Sequence, residues 1–114
     1  MTIQRLDSGS RMSQIVVHNQ TVYLAGQVGN PEGNIQQQTR DALASVETLL
    51  SKAGSDKSKI LQVTIWLSNM DDFAAMNEIY DAWVDIENPP TRACGEAKLA
   101  TKDYLFEIIA VASK

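Results

Sequence analysis

Alternating apolar and polar residues predict strands near both ends of the chain. Residues 15–18 and 22–25 are short β-rich runs separated by three polar residues, which is typical of a hairpin. Two more strands are predicted at 92–98 and 104–112, joined by a loop around 100–103. We therefore expect the chain to begin and end in pairs of strands.

Helical spacing replaces this alternation in the middle of the chain. From Asn34, apolar residues recur on one helical face as far as Ala53, and Gly54 suits the position just past a helix end. A second helix is predicted after Asn69–Asp72, which would supply its caps, and before Asn88, because a residue that precedes proline avoids the helical region. Its predicted apolar face consists of Phe73, Met76, Tyr80, Trp83 and Val84.

One strand is predicted between the two helices, at 59–69. Its apolar positions, Leu61, Val63, Ile65 and Leu67, alternate with Gln62, Thr64, Trp66 and Ser68. The predicted order is therefore ββαβαββ, which favours an α+β fold with two helices on one face of a single mixed sheet. We expect one domain over residues 1–114, since the chain shows no linker and no internal repeat.

The last predicted strand is apolar on both faces. Residues 104, 106, 108, 110 and 112 are all apolar or aromatic, and Leu105, Ile109 and Val111 lie on the opposite face. Two helices can cover only one of these faces. The uncovered face would be a large exposed apolar patch, so we predict that it contacts other subunits.

Composition limits the possible partners and the compartment. Of the 114 residues 44% are hydrophobic, but no apolar run approaches the length of a membrane span or of a secretory leader. The single cysteine, Cys94, cannot form an internal disulfide, and we expect a cytoplasmic protein. The net charge of −4 and the absence of a basic cluster argue against nucleic acid as a partner.

Two charged residues stand out as candidates for chemistry. Glu107 shares a strand face with apolar neighbours, where a carboxylate must be paired, hydrogen-bonded or shifted in its pKa. Arg92 follows two prolines at the head of the preceding strand. If these strands are adjacent and antiparallel, the two side chains would line one partly buried cleft. The alternative is a structural ion pair of Arg92 with Glu107 or Glu96.

Other candidates have simpler structural interpretations. The Cys94 side chain is interpreted as a small buried hydrophobe, because the single histidine, His18, lies in a distant hairpin. Asp71 and Asp72 are better explained as helix caps than as metal ligands, and we expect no metal site. The glycines of GQVGNPEGN lack the spacing of a phosphate loop, so they predict a turn whose backbone approaches a ligand closely.

The final third of the chain, PPTRACGEAKLATKDYLFEIIAVA, resembles the Rid proteins, the RidA/YjgF group. The signature consists of a proline-led arginine, a strand with Cys and Glu, a Lys-Asp turn and a closing strand with an inward Glu. VYLAGQVG and MDDFAAMNEIYDAW are similar to two further segments of that family. RMSQIVVHN and DDFAAMN look most like its YoaB-like branch.

This resemblance implies a chorismate-mutase-like α+β fold, assembled as a homotrimer with clefts between subunits. It also implies hydrolysis of reactive 2-imino acids or enamines to 2-keto acids and ammonia, without a metal or an organic cofactor. Carried over by position, Arg92 would bind the substrate carboxylate and Glu107 would position the attacking water. The Cys94 backbone would meet the imine nitrogen, and the Gly26 backbone would help to seat the carboxylate.

One segment departs from the pattern of the family. Where typical members carry Gly-Pro-Tyr before the first strand, this chain has Ser10, Arg11 and Met12, so a thioether replaces an aromatic wall of the substrate site. This difference favours an alternative function: a non-catalytic trimer that binds small carboxylates, such as 2-keto acids, and reports on them to a partner. RNA cleavage, also associated with the family, is opposed by the acidic charge.

Overall fold

The computed structural model describes residues 2–114 and, within them, six strands and two α-helices. In chain order these are β1 Ile3–Ser8, β2 Ser13–His18, β3 Thr21–Leu24, α1 Ile35–Lys52, β4 Ile60–Leu67, α2 Phe73–Trp83, β5 Thr91–Glu96 and β6 Phe106–Ser113. The predicted α+β class, with a mixed sheet and two helices, is confirmed. No helix in residues 2–114 is long and apolar enough to cross a membrane.

Strand β1 precedes the two predicted N-terminal strands and was not predicted. It pairs with β2 in antiparallel register and forms one edge of the sheet. Five of its six residues are exposed, and only Leu6 packs against the core. The sequence of an exposed edge strand shows little alternation, because most of its side chains contact solvent on both faces.

The sheet has the order β1-β2-β3-β6-β4-β5. Neighbouring strands are antiparallel except for β4 and β5, which are parallel and are connected through α2. Strand β6 lies between β3 and β4, inside the sheet. This position explains why both of its faces are apolar.

Both helices cover the same face of the sheet. The residues of β6 on that face, Phe106, Ile108, Ala110 and Ala112, are buried in one cluster with the apolar residues of α1 and with Met76 and Tyr80 of α2. We call the other face the open face; its apolar residues include Val16, Tyr23, Trp66, Ile109 and Val111. Tyr23 remains 46% exposed. Contact of the open face with other subunits stays a prediction.

Local signals place both helices close to their predicted positions. The Asn34 side chain caps α1 by accepting a hydrogen bond from the backbone N–H of Gln37, and Gly54 follows the helix with a φ of +79°. Asn69 caps a short 3₁₀ turn, Met70–Asp72, that leads into α2. Helix α2 ends at Trp83, well before the prolines.

The alternation predicts that Leu61 lies on the buried face of β4, and this prediction is wrong. The register of β4 against β6 shifts between Ile60 and Gln62, so Ile60 is buried and Leu61 is 51% exposed. This bulge reverses the direction of one side chain. From Val63 onwards the predicted alternation holds.

Gly29 allows the segment after β3 to pack on α1, and a side chain there should destabilise the fold. A Cβ at residue 29 would lie 2.5 Å from the backbone oxygen of Gln38 and 2.7 Å from its Cα, and helix backbone cannot move aside. We expect Gly29→Ala to lower the free energy of unfolding by about 2 kcal/mol, as overpacking does. Urea unfolding at one protein concentration measures this.

The matched control is Gly9→Ala, because the nearest atom to a Cβ at residue 9 is 4.0 Å away. That variant should stay within about 0.5 kcal/mol of the wild type. Equal stability of the two variants would contradict the close packing of residue 29 on α1.

Candidate active site

Arg92 lies on the edge strand β5, and its guanidinium packs on α2. Its partner across the ladder is Val63, which is buried, so the Arg92 side chain lies on the helix-covered face. Nη1 donates a hydrogen bond of 2.7 Å to Oδ1 of Asn77. The guanidinium carbon is 4.8 Å from the centre of the Tyr80 ring and 5.8 Å from that of Phe73. The cation is thus half-buried and held by neutral groups.

No carboxylate pairs with this guanidinium within residues 2–114. The ion pair found in that range joins Lys52 to Asp7 at 2.8 Å on the surface. Glu96 instead accepts a hydrogen bond of 2.9 Å from the backbone N–H of Met70. A structural ion pair of Arg92 with Glu107 or Glu96 is therefore not formed in the described chain. The remaining N–H donors of the guanidinium are suited to an external carboxylate.

Asn77 and its neighbours on α2 were not predicted as part of the site. Phe73, Asn77 and Tyr80 are spaced by four and three residues, so they lie on one helical face. Phe73 and Tyr80 belong to the predicted apolar face of this helix. An asparagine beside that apolar face was the signal, because a half-buried polar side chain requires a partner.

Glu107 lies on the open face, beside Gly26. Its partner across the ladder is Trp66, and its side chain is half-buried. The backbone N–H of Gln27 donates to the carbonyl of Ile108 at 2.8 Å, and the N–H of Ile108 donates back at 3.0 Å. This pair brings residue 26 so close to Glu107 that a Cβ on Gly26 would overlap the carboxylate. Any side chain at residue 26 would therefore displace it.

The prediction that adjacent antiparallel strands carry Arg92 and Glu107 is wrong. Strand β4 lies between them, and β5 is parallel to it. The two residues are two strand spacings apart across the sheet, about 10 Å, and their partners on β4, Val63 and Trp66, lie three residues apart, which adds about 10 Å along the strand. The two side chains project from opposite faces of the sheet. The hydrophobic pattern predicts the strands but not their order, and the connection through α2 returns β5 to the far side of β4.

Cys94 faces the helices, two residues after Arg92. It pairs with Ile65, is half-buried and packs against the core. Burial raises the pKa of the Cys94 thiol, and the charge of Arg92 opposes this effect only in part. A thiol with a raised pKa is a poor nucleophile, which agrees with the interpretation of this side chain as a small hydrophobe.

Met12 lies in the turn that connects β1 to β2. Its side chain is 47% exposed, and its carbonyl accepts a hydrogen bond of 2.8 Å from the N–H of Gly9. The N–H of Ala25 donates to the carbonyl of Gln14 at 2.9 Å, which holds the start of β2 beside the segment that contains Gly26.

The candidate residues therefore form two groups within a chain. We call Gly26 and Glu107 the glutamate half-site, and Arg92, Cys94 and Asn77 the arginine half-site. A surface cavity of about 530 Å³ at the connection between β5 and β6, lined by Ser68 and residues 98–102, contains neither group. Residues 2–114 contain no cluster of three or more His, Cys, Asp or Glu side chains that could hold a metal ion.

Three features define a class of small α+β proteins. They are a six-stranded mixed sheet with both helices on one face, a loop glycine against a strand glutamate, and an arginine on the parallel edge strand. The family model described as endoribonuclease L-PSP matches residues 2–114, and the chain belongs to this family.

Close relatives and a solved structure agree with this membership. The chain is 44% identical to a RutC family protein of Haemophilus influenzae and 42% identical to the RutC family protein YoaB of Escherichia coli, with 99% of each chain covered. A crystal structure of a YjgF family protein from Neisseria meningitidis is similar, with a TM-score of 0.97, 38% identity and 100% and 96% of the two chains covered. The predicted resemblance to the RidA/YjgF group is confirmed.

The raised pKa of Cys94 predicts slow alkylation. Because burial favours the protonated thiol, the folded protein should react with iodoacetamide more slowly at pH 8 than the urea-unfolded chain does. The folded state also holds this proton more tightly, so its contribution lowers stability as pH rises above the unfolded pKa, about 8.5.

The chain has one cysteine, so the extent of labelling measured by mass spectrometry reports this site alone. A labelling profile of the folded protein whose midpoint falls at a lower pH than that of the unfolded chain would show a stabilised thiolate and overturn this assignment.

Proposed function

We propose that this protein hydrolyses 2-imino acids, and the enamines in equilibrium with them, to 2-keto acids and ammonia in clefts between the subunits of a cytoplasmic homotrimer. The observation that carries the proposal is the separation of the two half-sites. The half-buried Arg92 guanidinium has no carboxylate partner within residues 2–114, and Glu107 lies across β4 on the opposite face. Membership of the family supports the same activity.

The open face supports assembly with other copies of the chain. Val16, Tyr23, Ile109 and Val111 are apolar residues of this face and are not covered by either helix. Burying such a face against a second copy removes apolar surface from water, worth roughly 25 cal/mol per Å². In the proposed trimer each glutamate half-site meets the arginine half-site of a neighbouring subunit.

Arg92 is proposed to bind the substrate carboxylate through two parallel N–H donors. Asn77 uses one donor of the guanidinium, and the rings of Tyr80 and Phe73 restrict its position, so the fork is oriented before the substrate arrives. This arrangement reduces the entropy that binding costs. The Gly26 backbone of the neighbouring subunit would complete the carboxylate site.

Cys94 is proposed to act through its backbone. Strand β5 is an edge strand, bonded to β4 on one side, so half of its backbone groups face away from the sheet. Such a group at Cys94 can meet the imine nitrogen while the Arg92 fork holds the carboxylate. The thiol itself faces the core and takes no part in the reaction.

Glu107 is proposed to orient and deprotonate the attacking water. The water oxygen forms a bond to the imino carbon, the electron pair of the C=N bond moves to nitrogen, and Glu107 takes the released proton. Glu107 returns this proton to nitrogen, which gives a neutral carbinolamine. As the carbinolamine collapses, Glu107 takes the hydroxyl proton and delivers it to nitrogen, the C–N bond breaks, ammonia leaves and the C=O bond forms. These steps balance without any further reactant.

Met12 is proposed to form part of the wall around the substrate side chain. A thioether is flexible and apolar, so it adapts to aliphatic side chains of different lengths.

The acidic net charge and the absence of a basic cluster oppose RNA as a substrate, although the description of the family names an endoribonuclease.

The proposed activity is tested by measuring keto-acid release when an amino-acid oxidase generates the imine in the presence of the protein. Arg92→Ala should lower kcat/KM about 100-fold or more, because it removes two charge-assisted hydrogen bonds to the substrate. Arg92→Lys should recover little, because an ammonium lacks the planar fork.

Arg40→Ala is the matched control, since Arg40 is exposed on α1 and its loss changes the net charge equally. It should retain wild-type kinetics. Equal activity of Arg92→Ala and the wild type would refute the mechanism.

A second function, binding of 2-keto acids without turnover, is favoured by one observation, the exposed Met12 in place of the family's aromatic residue. Calorimetry on the same preparation separates the two functions. Micromolar binding of a 2-keto acid that depends on Arg92, without imine hydrolysis by the wild type, would favour the second.

A further inference from the structure

The buried side chain of Gln38 connects the two segments that form the glutamate half-site. Gln38 lies in the first half of α1 and is 0% exposed. Its Nε2 donates hydrogen bonds to the carbonyl oxygens of Gly33, at 3.0 Å, and Asp103, at 2.9 Å. Its Oε1 accepts one from the backbone N–H of Leu105, at 2.8 Å. Both amide hydrogens are thus used, and the oxygen is occupied as well.

The three bonds reach parts of the chain that are far apart in sequence. Gly33 belongs to the segment between β3 and α1, which contains Gly26. Asp103 and Leu105 belong to the connection that leads into β6, and Leu105 is two residues before Glu107. A single amide therefore fixes the start of β6 relative to the segment that runs back to Gly26.

The backbone around Gln38 reinforces this connection. Gly29 packs directly on the backbone of Gln38, and the Gln27–Ile108 hydrogen bonds lie between this contact and Glu107. A Cβ on Gly26 would overlap the Glu107 carboxylate, so the Gly26 backbone and this carboxylate are in close contact. A shift of β6 relative to residues 26–33 would directly change the distance between them.

We propose that Gln38 is a positioning residue of the glutamate half-site: its buried amide sets the distance between the Gly26 backbone and the Glu107 carboxylate, and thereby the position of the attacking water. This role rests on the proposed function. It differs from the role of Asn77, which orients Arg92 and so affects binding of the substrate carboxylate.

Gln38→Met tests the proposal, because methionine is unbranched and similar in length but forms none of the three bonds. Misplacing a catalytic group by about 1 Å can cost about 100-fold in rate, so we expect kcat to fall about 10- to 100-fold. KM should rise by less than about 3-fold, because the charge-assisted bonds from Arg92 in the other half-site are intact and only the weaker Gly26 backbone contact to the carboxylate is disturbed.

Thr39→Val is the matched control. Thr39 is the next residue, is equally buried at 0% exposure, and donates its hydroxyl hydrogen bond of 2.7 Å to Ile35 of the same helix. Both variants lose buried hydrogen bonds and should unfold at lower urea concentrations. Only Gln38→Met should lower kcat. Equal kcat losses in the two variants, or a change in KM alone, would overturn the positioning role.

Hydrogen exchange separates this proposal from the proposed activity. The amides of Gln27 and Ile108 should exchange about 10-fold faster in Gln38→Met than in Thr39→Val, because the segments they join are no longer fixed. If the wild type hydrolyses no imine but this difference is found, the proposed function fails and the connection through Gln38 stands. Unchanged exchange in Gln38→Met would overturn the connection itself.

Discussion

Strand β4 separates the two charged residues on which the proposed chemistry depends. It pairs with β5 on one side and with β6 on the other, so Arg92 and Glu107 lie two strands apart and on opposite faces. No rotation of side chains within a chain can bring a guanidinium through a packed sheet to a carboxylate on its other face. A site that uses both residues requires a second copy of the chain, and the apolar open face provides a surface for it.

The arginine half-site contains a charged group that is half-buried. A half-buried guanidinium is expensive unless it is bonded, and Asn77 and the Tyr80 ring stabilise it without neutralising its charge. Burial raises the pKa of Tyr80, with the charge of Arg92 acting against this effect, so the phenol beside the guanidinium stays protonated. The half-site therefore keeps its positive charge for a ligand.

Sequence patterns predicted most of the fold because its interior elements have regular periods. The buried face of α1 and the alternation of β4 from Val63 are set by burial, which leaves a period in the sequence. Strand β1 was missed because solvent contacts most of its side chains. Leu61 was misplaced because a bulge depends on the partner strand, and partners are not visible in a local pattern.

The sequence pointed to two charged candidate residues but not to their geometry. Arg92 and Glu107 stood out as charges in stiff or apolar surroundings, and the family resemblance supplied their roles. Their placement on opposite faces follows from strand order, which depends on the connection through α2. Asn77 and Gln38 were missed because the partners that reveal their roles are distant in the sequence: Arg92 is 15 residues from Asn77, and Asp103 and Leu105 are 65 and 67 residues from Gln38.

The central claim is that one site uses Arg92 from one copy of the chain and Glu107 from another. It is tested most directly by mixing subunits of Arg92→Ala with subunits of Glu107→Gln, each inactive alone, and measuring imine hydrolysis after reassembly. In an equal mixture each cleft draws its arginine and its glutamate from different chains, so about a quarter of the clefts carry both, and about a quarter of wild-type activity should return. A mixed assembly that stays inactive would contradict the claim.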